Sequence, residues 1–227
     1  MALNESSAFD QLLLIDKAKT WTSFDVVNKI RSTLRIKKVG HAGTLDPLAT
    51  GLLLVGVGKY TKKLNELQGM DKEYTGIIEI GKTTPSYDLE TEFDSETIAD
   101  HITAANVQAA AESFIGEIEQ IPPVYSAIRI NGMRAYQAAR QKLDVKMKPR
   151  HVSIYDFDIE KKEGNEIFFR IKCSKGTYIR SVARDIGQFL EVGAYLKELR
   201  RTSIGDYHVN DARSIDEQIS LFTNESN

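Results

Sequence analysis

The sequence predicts a mixed α/β protein of the α+β kind, with a largely antiparallel sheet flanked by helices. Three observations carry this. Strand and helix patterns interleave without a regular strand–helix–strand beat, which argues against a doubly wound parallel sheet. The 227 residues are 41% hydrophobic, ample for a sizeable core in one or at most two domains. No repeat, low-complexity stretch or linker divides the chain, so a single domain over residues 1–227 is expected.

In order along the chain, "FDQLLLID" reads as a strand. "TSFDVVNKIRSTLRI" reads as a helix, with Thr22 or Ser23 as cap, Asp25 in the first turn, and Phe24, Val27, Ile30 and Leu34 as its apolar stripe. "LLLVGVG" is a continuous apolar run suited to a buried strand, and "TKKLNELQG" a short helix ended by Gly69. "KEYTGIIEI" and "NEIFFRIKCS" carry the β-branched and aromatic residues of strands. "NVQAAAESFIG" is helical by its alanines and closing glycine, and "VYSAIRING" reads as a strand leading into a turn. "YIRSVARDIGQFL" is an amphipathic helix with Ile179, Val182, Ile186 and Leu190 on one face.

Composition excludes several classes. No apolar stretch approaches the roughly 20 residues of a membrane helix, and "MALNESSAFDQ" lacks the pattern of a secretory signal. One cysteine, Cys173, rules out an internal disulfide framework, suits a reducing, cytoplasmic setting, and reads as a small buried apolar residue. Histidines 41, 101, 151 and 208 show no metal-ligand spacing, so no metal is expected.

The formal net charge of −2 argues against nucleic acid, but its distribution argues for it. Lys17 to Lys38 holds seven basic residues and one acid; Ala127 to His151, seven and one; Arg170 to Arg201, eight and three. Pro85 to Glu119 holds nine acids and no Lys or Arg. A basic surface with an acidic back binds phosphates despite a near-neutral total. The plain alternative for any single run is a solvated face.

Known site patterns mostly fail. "GVGKYT" is no phosphate loop: Leu53 stands where the first glycine belongs, and Tyr60 where Ser or Thr belongs. No dinucleotide fingerprint and no G-x-S-x-G elbow occurs. What stands out is "KKVGHAGTLDPLATGLLLVGVGKYTK", residues 37–62: a Gly-spaced turn carrying His41 and a single carboxylate, Asp46, fixed by Pro47 at the mouth of an apolar run. A sugar-cleaving enzyme usually pairs two carboxylates, and no second acid lies within ten residues of Asp46. Either Asp46 works alone or its partner is basic and distant in sequence. An Asp-Pro in a turn is, by itself, commonly plain turn chemistry.

"GHAGTLDPLATGLLLVGVGKYTK" resembles the active-site motif of the bacterial tRNA pseudouridine-55 synthases, whose pattern is close to G-H-x-G-x-L-D-P-x-A-T-G. "DKEYTGIIEIGKTTPSYDLE" is similar to the family's second motif, with its tyrosine at Tyr74; "EQIPPVYSAIRINGMRAYQAARQ" to a segment that helps grip RNA. "CSKGTYIRSVARDIGQFLEVGAYLKELRRTSIG" resembles the third motif, with its arginine at Arg180 and a leucine at Leu199. The resemblance runs in order from about Leu12 to Gly205. It departs at Lys17-Ala18-Lys19-Thr20, where the family usually reads Lys-Pro-x-Gly, and the chain ends at Asn227, too soon for the family's C-terminal PUA-type domain.

The resemblance implies a pseudouridine synthase fold and the conversion of uridine to pseudouridine at position 55 in the T arm of tRNA. The C1′–N1 bond breaks, the base turns, and C5 joins C1′, so no cofactor is needed. Asp46 is then the nucleophile. Arg180 is the guanidinium that keeps it ionised in a dry pocket. Tyr74 stacks on the uracil and helps move the C5 proton. Leu199 is an apolar wall, and His41 fills the space that the flipped base leaves. Lys17, Arg200 and Arg201 contact phosphate or support the site. Residues 129–150 form an RNA-gripping insertion. Partners are tRNA alone, with no metal, no membrane and no obligate protein, and the chain is expected to be a monomer. Alternatives are a non-catalytic tRNA-binding or folding module, a synthase acting on another RNA or guided by one, and a nucleoside or sugar hydrolase. Without the motifs Tyr74 and Leu199 read as core, and His41 as a turn residue.

Overall fold

The computed structural model describes residues 10–130, 132–141, 143 and 145–224; Phe9 of the first predicted strand, and Asn131, Lys142 and Asp144 of the predicted insertion, lie outside them. In chain order the elements are β1 (Leu12–Lys17), α1 (Ser23–Leu34), β2 (Val39–Ala42), β3 (Thr50–Val57), a 3-10 turn (Gly58–Lys63), α2 (Leu64–Gly69), β4 (Lys72–Ile80), β5 (Lys82–Thr83) and β6 (Ser95–Glu96). There follow α3 (Ala104–Ser113), β7 (Gly116–Gln120), β8 (Arg129–Ile130), β9 (Met133–Arg134), α4 (Ala135–Arg140), β10 (Arg150–Glu163) and β11 (Glu166–Cys173). The chain closes with α5 (Ile179–Phe189), β12 (Ala194–Ile204), β13 (Tyr207–His208), a 3-10 turn (Val209–Asp211) and α6 (Ile215–Asn224). The expected class, a mixed and largely antiparallel sheet with flanking helices, is what forms. The chain divides into two compact units, Met1–Tyr74 with Leu199–Asn227, and Thr75–Glu198.

The first unit is built around β3. It pairs antiparallel with β1, from Leu12↔Gly56 to Lys17↔Gly51, and with β2, from Val39↔Val57 to Ala42↔Leu54. Towards its start it runs parallel to β12, with Arg200↔Thr50 and Arg201↔Gly51 in register. Both faces of β3 are covered. Leu53, Val55 and Val57 pack with Leu13, Ile15, Val26, Val27 and Ile30 and with Ile215 and Phe222 of α6. Leu52 and Leu54 pack on the other side with Ala42, Leu67 and Ile204. That is why the strand reads as an unbroken apolar run rather than an alternation.

Helix α1 begins one residue after Thr22, whose hydroxyl accepts from the Asp25 N–H at 3.0 Å while the Asp25 carboxylate accepts from the Thr22 N–H at 2.9 Å, a full capping box. Its inward face differs from the expected stripe. Ser23, Val26, Val27 and Ile30 are buried, and Phe24 is 60% exposed. A polar residue holds the first inward position because its hydroxyl is used, as described below.

In the second unit β10 pairs antiparallel with β11 and with β7, and Phe157 and Phe169 meet edge to face with ring centroids 5.9 Å apart. The 14-residue β10 was hidden in the sequence because bulges between Ile154 and Asp156, and between Ile159 and Lys161, break its two-residue period. Helix α5 buries Ile179, Val182 and Ile186 as expected. The expected strand at "VYSAIRING" is corrected: only Arg129–Ile130 is extended, in a hairpin with Met133–Arg134. Before it the Ser126 N–H donates to the Val124 carbonyl at 2.8 Å, a turn that ladder pairing cannot accommodate.

The Thr22 cap makes a direct stability prediction. Thr22→Ala should cost about 1 kcal/mol in urea unfolding without changing the m-value. An unchanged midpoint would show that the capping box does not hold α1.

Candidate active site

The Asp46 turn spans the seven residues between β2 and β3 and is held from inside the first unit. The Ser23 hydroxyl donates to the Leu45 carbonyl at 3.2 Å, and the Leu45 N–H donates back to that oxygen at 2.9 Å. The Ala49 N–H closes the turn on the Asp46 carbonyl at 3.1 Å. The Pro47 carbonyl accepts from the Thr20 N–H at 2.8 Å and from the Lys17 ammonium at 3.4 Å. Helix α1 and the end of β1 therefore fix the backbone on both sides of the carboxylate.

Two buried cations lie beneath it. Lys17 is 1% exposed, and its ammonium donates to the carbonyls of Ala18 at 3.0 Å and Trp21 at 2.7 Å besides Pro47. Burial pushes its pKa down to about 8, the charge of Arg201 pushes the same way, and Asp46 and then Asp25 oppose it. Arg201, also 1% exposed, donates from Nε to the Leu52 carbonyl at 2.7 Å and from Nη2 to the Gly43 carbonyl at 3.0 Å. One guanidinium thus ties the first residue of the turn, Gly43, to the third residue of the strand that follows it, Leu52. Gly51 makes this possible. Its φ is +98°, and a Cβ there would lie 2.3 Å from the Arg201 carbonyl oxygen.

Thr20 stands where the resembling family has glycine, and its φ is +74°, in the left-handed region. A β-branched residue resists that conformation, at a cost of roughly 1–2 kcal/mol.

The remaining expected residues fall as follows. Tyr74 is buried in β4, and Thr202 of β12 donates to Glu73 beside it at 2.9 Å. His41 is half-buried on β2 opposite Val55. Burial, then the charge of Arg201, push its imidazole below its ordinary pKa. Among the described residues its Nδ1 is buried with no hydrogen-bond partner. Leu199 is half-buried, and its carbonyl accepts from the Thr50 hydroxyl at 3.4 Å. Arg200 grips Asp16 with two bonds, at 3.0 and 2.7 Å. For Lys17 and Arg201 the carbonyl partners favour support over phosphate contact.

Arg180 belongs to the second unit, on α5. It is 3% exposed and donates to the carbonyls of Ser86 at 3.1 Å and Tyr125 at 2.9 Å, with Nε 3.6 Å from Asp88. Asp88 and Ser86 were missed by sequence reasoning, although both lie inside the quoted second motif; a carboxylate next to a tyrosine in a Thr/Ser-rich stretch was the available signal. Ser23 and Gly51 were missed as well. In the expected RNA-gripping segment, exposed Arg140 pairs with Glu90 at 2.9 Å. Among the described residues no group of three or more His, Cys, Asp or Glu side chains could hold a metal, and no helix is long and apolar enough to cross a membrane.

Comparison with known proteins follows the same outline. Residues 31–179 match the TruB family pseudouridylate synthase N-terminal domain, and residues 180–222 match the tRNA pseudouridylate synthase B C-terminal domain. The chain is 50% identical over 212 residues to the tRNA pseudouridine synthase B of Flavobacterium johnsoniae, covering 90% of this chain and 93% of that one. It is 48% identical to that of Phocaeicola vulgatus, covering 91% and 90%. Among solved structures it resembles a chain of a Cbf5-Nop10-Gar1 complex, with a TM-score of 0.74 and 27% identity, and one of an H/ACA RNP bound to a substrate RNA containing 2′-deoxyuridine, with 0.72 and 26%. It covers 96% and 98% of itself in these matches but only 56% of each of those chains.

Lys17 gives the site a pH signature. A lysine that titrates near pH 8 when folded and near 10.5 when unfolded leaves the unfolded state with more protons between those values. Stability from this group is therefore fullest above pH 10.5 and lost as pH falls to 8. Against Lys17→Met, the wild type should gain about 3 kcal/mol between pH 8 and 10.5 in denaturant unfolding. Parallel pH curves for the two proteins would refute the buried, depressed lysine.

Proposed function

The chain belongs to the TruB family of pseudouridylate synthases, and from that premise we propose that it isomerises uridine 55 in the T arm of tRNA to pseudouridine, with Asp46 as nucleophile. The observation that carries the reading is the Asp46 turn itself: an aspartate on a backbone fixed by Ser23, Lys17 and Thr20 in the segment that bears the family motif.

The reaction breaks the C1′–N1 bond, turns the uracil and joins C5 to C1′; C5 loses a proton and N1 gains one. No atom leaves, so the protein has to supply charge, orientation and proton transfer only. Asp46 attacks the sugar or base. Lys17 and Arg201 hold the turn on which it sits, through backbone carbonyls that carry no charge of their own. Tyr74 stacks on the base and serves the C5 proton. Leu199 walls the base, and His41 occupies the space vacated by flipping. Arg180 is the guanidinium that answers the nucleophile's charge, a role that rests on its place in the third motif. Arg200 keeps an exposed edge beside Asp16 for phosphate. The single catalytic domain over residues 1–227, acting as a monomer in the cytoplasm without metal or protein partner, completes the reading. Relatives near 50% identity named as tRNA enzymes favour tRNA over an RNA-guided substrate.

The test is incubation of unmodified tRNA transcript, and of a minimal T-arm hairpin, with the purified protein, followed by carbodiimide-dependent primer extension. A stop at position 55 is expected in both RNAs. Asp46→Asn keeps size and most hydrogen bonds but removes the nucleophile, so it should bind RNA as the wild type does and form no product. More than a trace of pseudouridine from Asp46→Asn would overturn its role; a good whole-tRNA substrate whose hairpin is poor would overturn the T-arm reading.

A further inference from the structure

A second cationic surface lies on the first unit, away from the Asp46 turn. Lys37 and Lys38 precede β2; Lys59, Lys62 and Lys63 lie on the 3-10 turn after β3; all five are exposed. The fold brings these two stretches together: Val39 pairs with Val57, and the Gly58 N–H donates to the Lys38 carbonyl at 2.8 Å. Among the described residues Asp10 is the one carboxylate that meets this group, at Lys59. Its carboxylate accepts from the Lys59 N–H at 2.7 Å and meets the Lys59 ammonium at 2.9 Å. Hydrogen bonds from Lys59, then the charges of Lys59 and Lys38, hold that carboxyl below its ordinary pKa. Among the described residues Lys37, Lys38, Lys62 and Lys63 have no carboxylate within ion-pair distance.

A surface made for solubility mixes its signs. Here like charges from separate segments are brought to one edge by the pairing of β2 with β3, and like charges closer than a Debye length, roughly 10 Å, repel. A polyanion removes that repulsion. Lysine is a mobile point charge suited to successive phosphates. A protein partner would want an apolar anchor, and no large apolar side chain is exposed in residues 35–38 or 58–69. The surface also has a defined relation to the site. Lys38, the residue before β2, lies three residues from His41, roughly 10 Å of extended chain. That is about three phosphates along one strand of a duplex.

We propose that Lys37, Lys38, Lys59, Lys62 and Lys63 form a second phosphate-binding surface that grips the stem of the substrate RNA while its target nucleotide is held at the Asp46 turn. This rests on the reading of the chain as a tRNA-modifying enzyme and adds to it where the helical part of the RNA lies.

The test compares three double variants in RNA binding against salt: Lys37→Gln with Lys38→Gln, Lys62→Gln with Lys63→Gln, and, as a control of equal charge change, Lys161→Gln with Lys162→Gln. Lys59 is left intact so that Asp10 keeps the 3-10 turn. With a T-arm hairpin each patch pair should lower the slope of log K against log salt by one to two units, at about 0.9 per lost phosphate contact, and the control should leave it unchanged. A single-stranded oligonucleotide of the loop should bind all variants equally. Equal slopes for patch and control, or equal losses on the loop oligonucleotide, would overturn the surface. Binding is read apart from product. A wild type that binds the hairpin but makes no pseudouridine therefore overturns the enzymatic reading, and the slopes still decide the surface.

Discussion

The first unit depends on the burial of two cations that are answered mainly by backbone carbonyls. Bringing an ammonium and a guanidinium out of water costs several kcal/mol each unless every donor is used. Lys17 uses the carbonyls of Ala18, Trp21 and Pro47, and Arg201 those of Leu52 and Gly43. Carbonyls satisfy the hydrogens without cancelling the charge. The turn above is left in a positive field, and Asp46 is one of the two carboxylates that Lys17 senses. Had either cation been matched by its own buried acid, that field would be gone.

This constraint reaches outward into the sequence. The Arg201 backbone can pair closely with the start of β3 because Gly51 has no side chain and takes a φ of +98°. Lys17 can reach Trp21 and Pro47 only because the chain turns back through the left-handed Thr20. Ser23 must be small and hydroxylated, since it both gives and takes a hydrogen bond with Leu45, and Phe24 is displaced to solvent in consequence. The apolar cover on both faces of β3 surrounds the strand that carries the Leu52 carbonyl, one of the acceptors of Arg201.

Strands and helices with an uninterrupted period were legible in the sequence. β3 announced itself because its buried positions are all apolar or glycine, and α5 because Ile179, Val182 and Ile186 keep a helical period even though Arg180 and Ser181 are buried beside them, whereas β10 carries two bulges and β12 buries Arg201 where a strand pattern calls for an apolar residue. Asp46 stood out because a rigid Gly-rich turn around one carboxylate is chemically odd. Its supports did not, because carbonyl acceptors have no sequence signature: any residue can offer one. The departure at Thr20 shows the limit from the other side. The residue differs from the family pattern, yet its backbone takes the left-handed conformation that favours glycine.

Charge counts along the chain mislead for the same reason. Three runs of basic residues suggested three contacts with phosphate, yet their members do different work. Lys17, Arg180 and Arg201 are buried on carbonyls, and Arg200, Arg140 and Lys197 are matched to Asp16, Glu90, and Glu79 with Glu166. Subtracting these leaves far less free positive charge in the runs than their sequence implies. The 3-10 turn after β3 was not among the runs, since its lysines are few, and Asp10, the partner of Lys59, lies 49 residues away. The fold sets Lys59, Lys62 and Lys63 beside Lys37 and Lys38 by pairing β2 with β3. A net charge of −2 is therefore compatible with a polyanionic substrate, because attraction is decided by which cations remain unanswered on one face and not by the sum over the chain.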